Sequence, residues 1–165
     1  MARFFAFVAL IVSAVCFSSL IDLARANNVK YYVTGNVYCD PCQFRIVTEL
    51  STPLPGVTLL FECKHENNET VTFRSKEVVS GQYGEYSLEV EGEHQGEDCK
   101  VKALKNSDPE CNEILSPFSE SIVLKKNMTV DSYSRDVSPF VFTPNQVTHD
   151  QCRVVDSKLK AAVGI

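Results

Sequence analysis

The amino-acid sequence predicts an all-β domain, folded as a β-sandwich or barrel. From about residue 29 to residue 142, short runs rich in Val, Tyr and Phe are separated by turns that contain Gly, Pro, Asn or Asp. Strands of this length at this spacing are typical of sandwiches and barrels. Six cysteines lie between residues 39 and 152, which favours disulfides. Only the last residues have helical spacing.

The predicted strands are rich in β-branched and aromatic residues, or alternate apolar with polar residues, and each ends at a turn signal. Every second residue is expected to face inward, because successive side chains of a strand point to opposite sides. The predicted strands are residues 29–38, 57–63, 70–76, 85–90, 99–105, 121–126 and 139–142. The predicted inward residues are Val57, Leu59, Phe61, Cys63, Val71, Phe73, Tyr86, Leu88, Val90, Cys99, Val101 and Ala103.

A short helix is predicted at the end of the chain, over residues 150–161. Thr148 and Gln151 have the spacing of a capping box. Val154, Val155 and Leu159 then form a short apolar stripe, and Cys152 would tie the helix to the rest of the domain.

Residues 1–26 have the layout of a secretory signal peptide. Arg3 gives a positive start, an apolar run extends from Phe4 to about Leu20, and a small-x-small cleavage site ends at Ala26. A retained membrane anchor is the alternative, but the run is near the lower limit of a spanning helix, roughly 17 residues, and contains three serines. We therefore expect a secreted, extracellular protein with no membrane span after cleavage and a single domain over residues 27–165.

The charge of the chain argues against two classes of partner. The formal net charge is −5 at pH 7, and Lys and Arg form no block along the sequence. A modestly acidic chain is a poor ligand for a phosphate backbone, and an anionic membrane attracts basic clusters. We expect no nucleic-acid partner.

The pair Cys39 and Cys42, spaced as Cys-x-x-Cys, has three interpretations. A thioredoxin-type redox pair begins a helix after a central strand, whereas Cys39 ends a predicted strand, and Asp40 disfavours a thiolate. A zinc site needs a second pair of ligands at short spacing, but Cys63, Cys99, Cys111 and Cys152 stand singly. We therefore expect each cysteine to form a structural disulfide with a distant partner, and the sequence alone does not choose the pairing.

The chain has no motif that predicts catalysis or metal binding. His65, His94 and His149 stand alone in polar contexts, where solvated loop histidines are expected. The acidic run 89–98 lacks the ligand spacing of a calcium loop and is expected to be a solvated face. No Gly-x-Ser-x-Gly occurs, although a hydrolase with two converging carboxylates stays open. We expect no enzymatic activity, no metal and no cofactor.

Two kinds of surface site are expected. The sequons at Asn68 and Asn127 predict N-glycosylation of both side chains. Tyr133 and Phe140 are the candidates for a binding surface, because one face of the last predicted strand could be apolar and near the surface. Core packing of these aromatic residues is the alternative.

Residues 34–42, Thr-Gly-Asn-Val-Tyr-Cys-Asp-Pro-Cys, resemble the signature of the major olive pollen allergen family (Ole e I), which is Gly-x-Val-Tyr-Cys-Asp-x-Cys followed by Arg. The order of the six cysteines also matches, so the resemblance covers nearly all of residues 27–165. Gln43 stands where the family usually has Arg, and Arg45 lies close by. Further matching segments are 48–51, 55–56, 62–64, 84–87, 98–99 and 111–113.

The resemblance implies a fold and a disulfide pairing. The fold of the family is a seven-stranded β-barrel or sandwich. Its pairing, carried over, joins Cys39 to Cys111, Cys42 to Cys152 and Cys63 to Cys99. The two cysteines of the signature would therefore bond to different partners.

The resemblance also implies a function. Family members are secreted plant proteins, many of them abundant in pollen and many of them allergens, with no established enzymatic activity. We expect a secreted, non-enzymatic protein that binds an extracellular partner in pollen hydration, germination or pollen tube growth. That partner would be a receptor kinase ectodomain or a wall component. The alternative is a structural protein that binds cell-wall polysaccharide, which exposed tyrosines on a sheet face would favour.

Overall fold

The computed structural model describes residues 30–92, 94–124, 134–147 and 150–164. Several predicted features lie outside these residues. They are the signal peptide at residues 1–26, the sequon at Asn127, the candidate surface residue Tyr133, the histidine His149, the helix-capping residue Thr148 and the end of the predicted strand 121–126.

The described residues form strands β1 to β10 and helix α1. The strands are β1 (Lys30–Cys39), β2 (Thr52–Pro53), β3 (Thr58–His65), β4 (Val71–Arg74), β5 (Val78–Val79), β6 (Glu85–Glu91), β7 (Glu97–Lys105), β8 (Glu113–Ile114), β9 (Ser134–Asp136) and β10 (Phe140–Thr143). The helix is α1 (Cys152–Val163).

The larger sheet is built around β1. Strand β6 pairs with β1 in antiparallel direction along residues 30–36, and β2 pairs with residues 38–39. Strands β9 and β10 pair with successive parts of β1 in parallel direction, and β8 pairs with β10. Strand β1 is therefore the central strand on which the rest of this sheet is assembled.

The smaller sheet is built around β3. Strand β7 pairs with β3 along its whole length, while β4 and β5 pair with successive parts of β3. The turn between β5 and β6 carries the chain from one sheet to the other. Within the described residues, β6 does not pair with β4 or β5, so the two sheets do not close into a barrel.

The hydrophobic core lies between the two sheets. Tyr31, Val33 and Val37 of β1 face inward, and so do Leu59 and Phe61 of β3; all five are fully buried. Burial of an aliphatic or aromatic side chain of this size contributes about 1.5–3 kcal/mol. Further core residues are Leu54, Val57, Tyr86, Leu88, Val90, Val101, Ala103, Leu124, Phe140 and Phe142.

For the residues that the structure describes, the all-β prediction and the C-terminal helix are confirmed. Two details were wrong. Val71 is exposed rather than inward, because β4 carries one extra residue, Thr72, where the register shifts between Cys63 and Lys64, and this places Val71 opposite Lys64. Residues 121–124 do not form a strand; they run beside β7, where Ile122 N–H donates to Cys99 O at 2.8 Å.

Candidate functional site

The signature cysteines bond to two different parts of the chain. Cys39 bonds to Cys111, and Cys42 bonds to Cys152 at the start of α1. The third bridge joins Cys63 of β3 to Cys99, which lies directly opposite on β7. This pairing is the one that the resemblance implies. The Cys-x-x-Cys segment is a branch point of the scaffold rather than a redox pair.

Asp40 fixes the backbone between the two signature cysteines. Its side chain is fully buried. One carboxylate oxygen accepts a hydrogen bond from Cys42 N–H at 2.9 Å, and the other accepts one from Arg45 N–H at 2.8 Å. These donors satisfy a buried charge that would otherwise be costly, so the position requires two acceptor oxygens.

Asp40→Asn is expected to lower the free energy of unfolding by about 1–3 kcal/mol, because the amide offers one acceptor and turns a donor towards the second N–H. Urea denaturation measures the change. Asp108→Asn is the matched control: Asp108 accepts from Glu110 N–H in an exposed turn, where water replaces the lost bond. Equal stability of the two variants would contradict the role assigned to Asp40.

An apolar patch lies next to the signature loop. We define the apolar patch as Leu115, Phe118, Pro139 and Val141, with Arg45 beside them. They line a shallow cavity of about 190 Å³, whose other lining residues are Ile114, Ser116, Ser119, Glu120, Ser138 and Phe140. Leu115 is 71% exposed and Phe118 is 38% exposed. Exposed apolar residues that cluster, rather than occur singly, are typical of interaction surfaces.

The strand pairing of both sheets holds the apolar patch in place. Ile114 of β8 pairs with Phe142 of β10, and Ala103 N–H of β7 donates to Pro117 O at 2.8 Å. The Lys102 ammonium lies 5.3 Å from the centre of the Phe118 ring, in cation–π distance. The segment that carries Leu115 and Phe118 therefore bridges the edges of the two sheets.

The candidate binding residue Phe140 belongs to the hydrophobic core. It is 5% exposed and packs 6.4 Å from the Tyr86 ring, centre to centre. Its neighbours Pro139 and Val141 are more exposed, and all three residues line the cavity of the apolar patch. A binding role for Phe140 stays a prediction, although little of its side chain is accessible. Tyr133 lies outside the described residues.

Sequence reasoning missed Leu115 and Phe118. The available signal was the segment Leu-Ser-Pro-Phe at 115–118, where two large apolar residues flank a turn that contains proline. Large apolar residues in a turn are often exposed, because turns run over the protein surface and their side chains have few buried positions to occupy.

A comparison with known families decides the relationship of this chain. The family model described as "Pollen protein Ole e 1 like" matches residues 29–160. The chain belongs to the Ole e 1-like pollen protein family.

Relatives and a solved structure of the family resemble this chain over most of its length. It is 35% identical over 133 residues to the Olee1-like protein of Betula pendula, covering 78% of this chain and 79% of that protein. It is 32% identical over 133 residues to the anther-specific protein LAT52 of Solanum lycopersicum, covering 80% of this chain and 82% of that protein. The crystal structure of the major plantain pollen allergen Pla l 1 matches with a TM-score of 0.63 and 30% identity, covering 73% of this chain and 98% of that one.

His94 of this Ole e 1-like chain is not the solvated loop histidine that was expected. Its side chain is 10% exposed and hydrogen-bonds to Glu97 at 2.8 Å. Its ring packs 4.5 Å from that of Phe73, centre to centre. Sulfur, nitrogen and oxygen atoms of Cys63, His94, Glu97 and Cys99 approach within 4.8 Å of one another, but the two sulfurs form a disulfide, which removes the thiolates that zinc would need.

Asn68 lies on an exposed turn between β3 and β4. Its side-chain oxygen accepts a hydrogen bond from Thr70 N–H at 3.1 Å, which forms an Asx turn across the sequon. His65, on the same turn, is exposed, and its Nδ1 accepts from Asn67 N–H at 3.2 Å. Glycosylation of Asn68 stays a prediction that this exposed geometry accommodates.

A polar groove of about 470 Å³ runs from this turn to Phe118. Within the groove, hydrogen bonds from the Lys100 ammonium and the Ser121 hydroxyl lower the pKa of the Asp98 carboxyl.

Within the described ranges, no helix has the length and apolar character to cross a membrane.

Proposed function

We propose that this Ole e 1-like chain is a secreted, non-enzymatic protein of the pollen extracellular space that binds an extracellular protein through the apolar patch. A receptor kinase ectodomain at the pollen surface is the partner that fits a role in hydration, germination or pollen tube growth. The observation that carries the proposal is the exposure of Leu115 and Phe118, side by side, on a disulfide-tied scaffold. The pollen and anther names of its relatives support the tissue.

The composition of the apolar patch favours a protein partner. Protein interfaces are enriched in aromatic residues and arginine, and a few such residues supply most of the binding free energy. The patch offers Phe118 and Arg45 around the apolar side chains of Leu115, Pro139 and Val141. Cys111, three residues before Ile114, is fixed to Cys39, so little conformational entropy is lost when the segment binds.

Binding to a wall polysaccharide is the alternative. Tyr32 and Tyr83 are exposed, and sugar rings stack on such side chains. Treatment of the pollen surface separates the two functions: protease removes a protein partner, whereas polysaccharide-degrading enzymes remove a wall ligand.

Leu115→Asp is expected to weaken saturable binding of the labelled protein to germinated pollen by about tenfold or more, because it places a charge at the centre of an apolar contact. The measurement is a binding isotherm competed with unlabelled protein. Val163→Asp is the matched control, since Val163 is 72% exposed at the end of α1 and lies outside the patch.

Unchanged affinity of the Leu115→Asp variant, with both variants folded by circular dichroism, would contradict the proposed site. Binding that survives protease but is lost after removal of wall polysaccharide would favour the alternative function.

A further inference from the structure

Among the described residues, β6 is an edge strand, and the direction of its backbone groups follows from its pairing with β1. Val37 N–H donates to Gly84 O at 2.8 Å. Hydrogen-bonded pairs alternate with non-bonded pairs along an antiparallel ladder, and the register places Gly35 opposite Tyr86 and Val33 opposite Leu88. Tyr86 and Leu88 therefore direct their backbone N–H and C=O groups towards β1.

Ser87 and Glu89 direct their backbone N–H and C=O groups away from β1. The backbone groups of Glu85 point to the same side of β6, and its carbonyl accepts from Gly81 N–H at 2.8 Å in the turn that joins β5 to β6. In the described part of the chain, β6 pairs with β1 alone. The N–H and C=O groups of Ser87 and Glu89 thus form an open edge.

A groove of about 540 Å³ runs along this open edge. Its opposite wall consists of β4, β5 and the residues between them. Phe73 and Val78 are half-buried against the core, and they give the groove an apolar floor. An extended segment in the groove would lie between two sheet edges and would contact both Phe73 and Val78 with alternate side chains.

The charge around the groove favours a basic occupant. Glu77, Glu89 and Glu91 line the groove together with Lys76. The charge of Arg74, which also lines it, is already matched, because its guanidinium donates two hydrogen bonds to the buried Glu62 carboxylate at 2.5 and 3.1 Å.

Lys30 approaches the same glutamates from the β1 side, with its ammonium 2.5 Å from Glu89 and 3.6 Å from Glu91. Both carboxylates stay about half exposed, so each keeps an oxygen accessible to a second cation.

We propose that the open edge of β6 binds a basic extended segment of another extracellular protein, which adds to the sheet as a further strand. Its backbone pairs with Ser87 and Glu89, its lysine or arginine side chains meet the glutamates, and its apolar side chains contact Phe73 and Val78. A second copy of this chain fits poorly, because antiparallel pairing of two β6 strands would bring the glutamates of both copies together. None of these residues belongs to the apolar patch, so the inference stands independently of the proposed function.

The test uses a peptide of alternating Lys and Val, as long as β6, with an alternating Glu and Val peptide as the matched probe. The Lys peptide is expected to bind at least about tenfold more tightly by fluorescence anisotropy, and its affinity is expected to fall with added salt. Amide hydrogen exchange is expected to slow at Ser87 and Glu89 and to stay unchanged at Tyr86 and Leu88.

Two variants separate strand addition from charge attraction. Ser87→Pro removes one outward N–H and keeps the pairing with β1 and the net charge, since proline is tolerated on an edge strand at such a position. This variant is expected to bind the Lys peptide about tenfold or more weakly than the wild type. Glu89→Gln is expected to reduce the affinity for the Lys peptide by a smaller factor. Glu110→Gln, in an exposed turn, is expected to leave this affinity unchanged.

Four outcomes would overturn the proposal. They are no binding of the Lys peptide at millimolar concentration, equal effects of Glu89→Gln and Glu110→Gln, slow exchange of the Ser87 and Glu89 amides already in the free protein, and a wild-type dimer that Ser87→Pro dissociates.

Discussion

Replacement of both Cys42 and Cys152 by alanine is expected to lower the free energy of unfolding by about 3–5 kcal/mol, the largest effect predicted for this chain. The two cysteines are 110 residues apart in sequence, so their bridge closes most of the domain into one loop. Opening it lets the unfolded chain sample many more conformations. Urea denaturation of the oxidised variant and of the wild type measures the difference.

The native state should also change at α1. Cys152 and Val155 are the buried residues of this helix, which leaves it a narrow contact with the sheets. An exposed ion pair between Lys158 and Glu49, at 2.6 Å, is a further contact of the helix. Amide exchange in α1 should therefore become fast in the double variant while that of β1 and β3 stays slow.

Lys158→Ala is the control, since an exposed ion pair contributes at most about 1 kcal/mol. A double cysteine variant that loses no more stability than Lys158→Ala would show that the bridge does not restrict the unfolded chain.

Much of the fold is readable from the sequence because strand periodicity is local. In β6, Tyr86, Leu88 and Val90 alternate with polar residues, and the structure buries these three and exposes the others. In α1 the periodicity is weaker: Val155 is buried but Val154 is exposed, since only one face of the helix reaches the domain. The signature and cysteine order were sufficient to identify the family.

The proposed binding surface was not readable from the sequence, because it depends on pairings between distant segments. At the start of β10, residues 139–142 are all apolar, so alternation predicts the period of the strand but not which of its faces is inward. That face is set by the pairing of β10 with β1 and β8. The same holds for Val71, whose exposure follows from the shift in register between β4 and β3. Local patterns predict elements, whereas the register between elements decides which side chains are exposed.

Gly84→Ala is expected to lower the free energy of unfolding by about 2–4 kcal/mol, the sum of left-handed strain and a weakened hydrogen bond. Gly84 has a φ of 75°, and a Cβ there would lie 2.3 Å from Val37 O. That carbonyl accepts from Leu54 N–H at 2.9 Å, while Gly84 O accepts from Val37 N–H. An added methyl group would push apart the contact at which β1 meets the start of β6 and the segment after β2.

Gly96→Ala is the matched control, because Gly96 has a φ of 76° but, among the described residues, nothing within 4 Å of the added Cβ. The free energy of unfolding of Gly96→Ala should fall only by the conformational strain that the new Cβ introduces, about 1–2 kcal/mol. Urea denaturation of the two variants therefore separates strain from steric contact. If both lose the same stability, the close approach to Val37 contributes nothing. If Gly84→Ala loses more, and amide exchange accelerates at Val37 and Leu54 but not in β7, the contact joins the signature strand to β6.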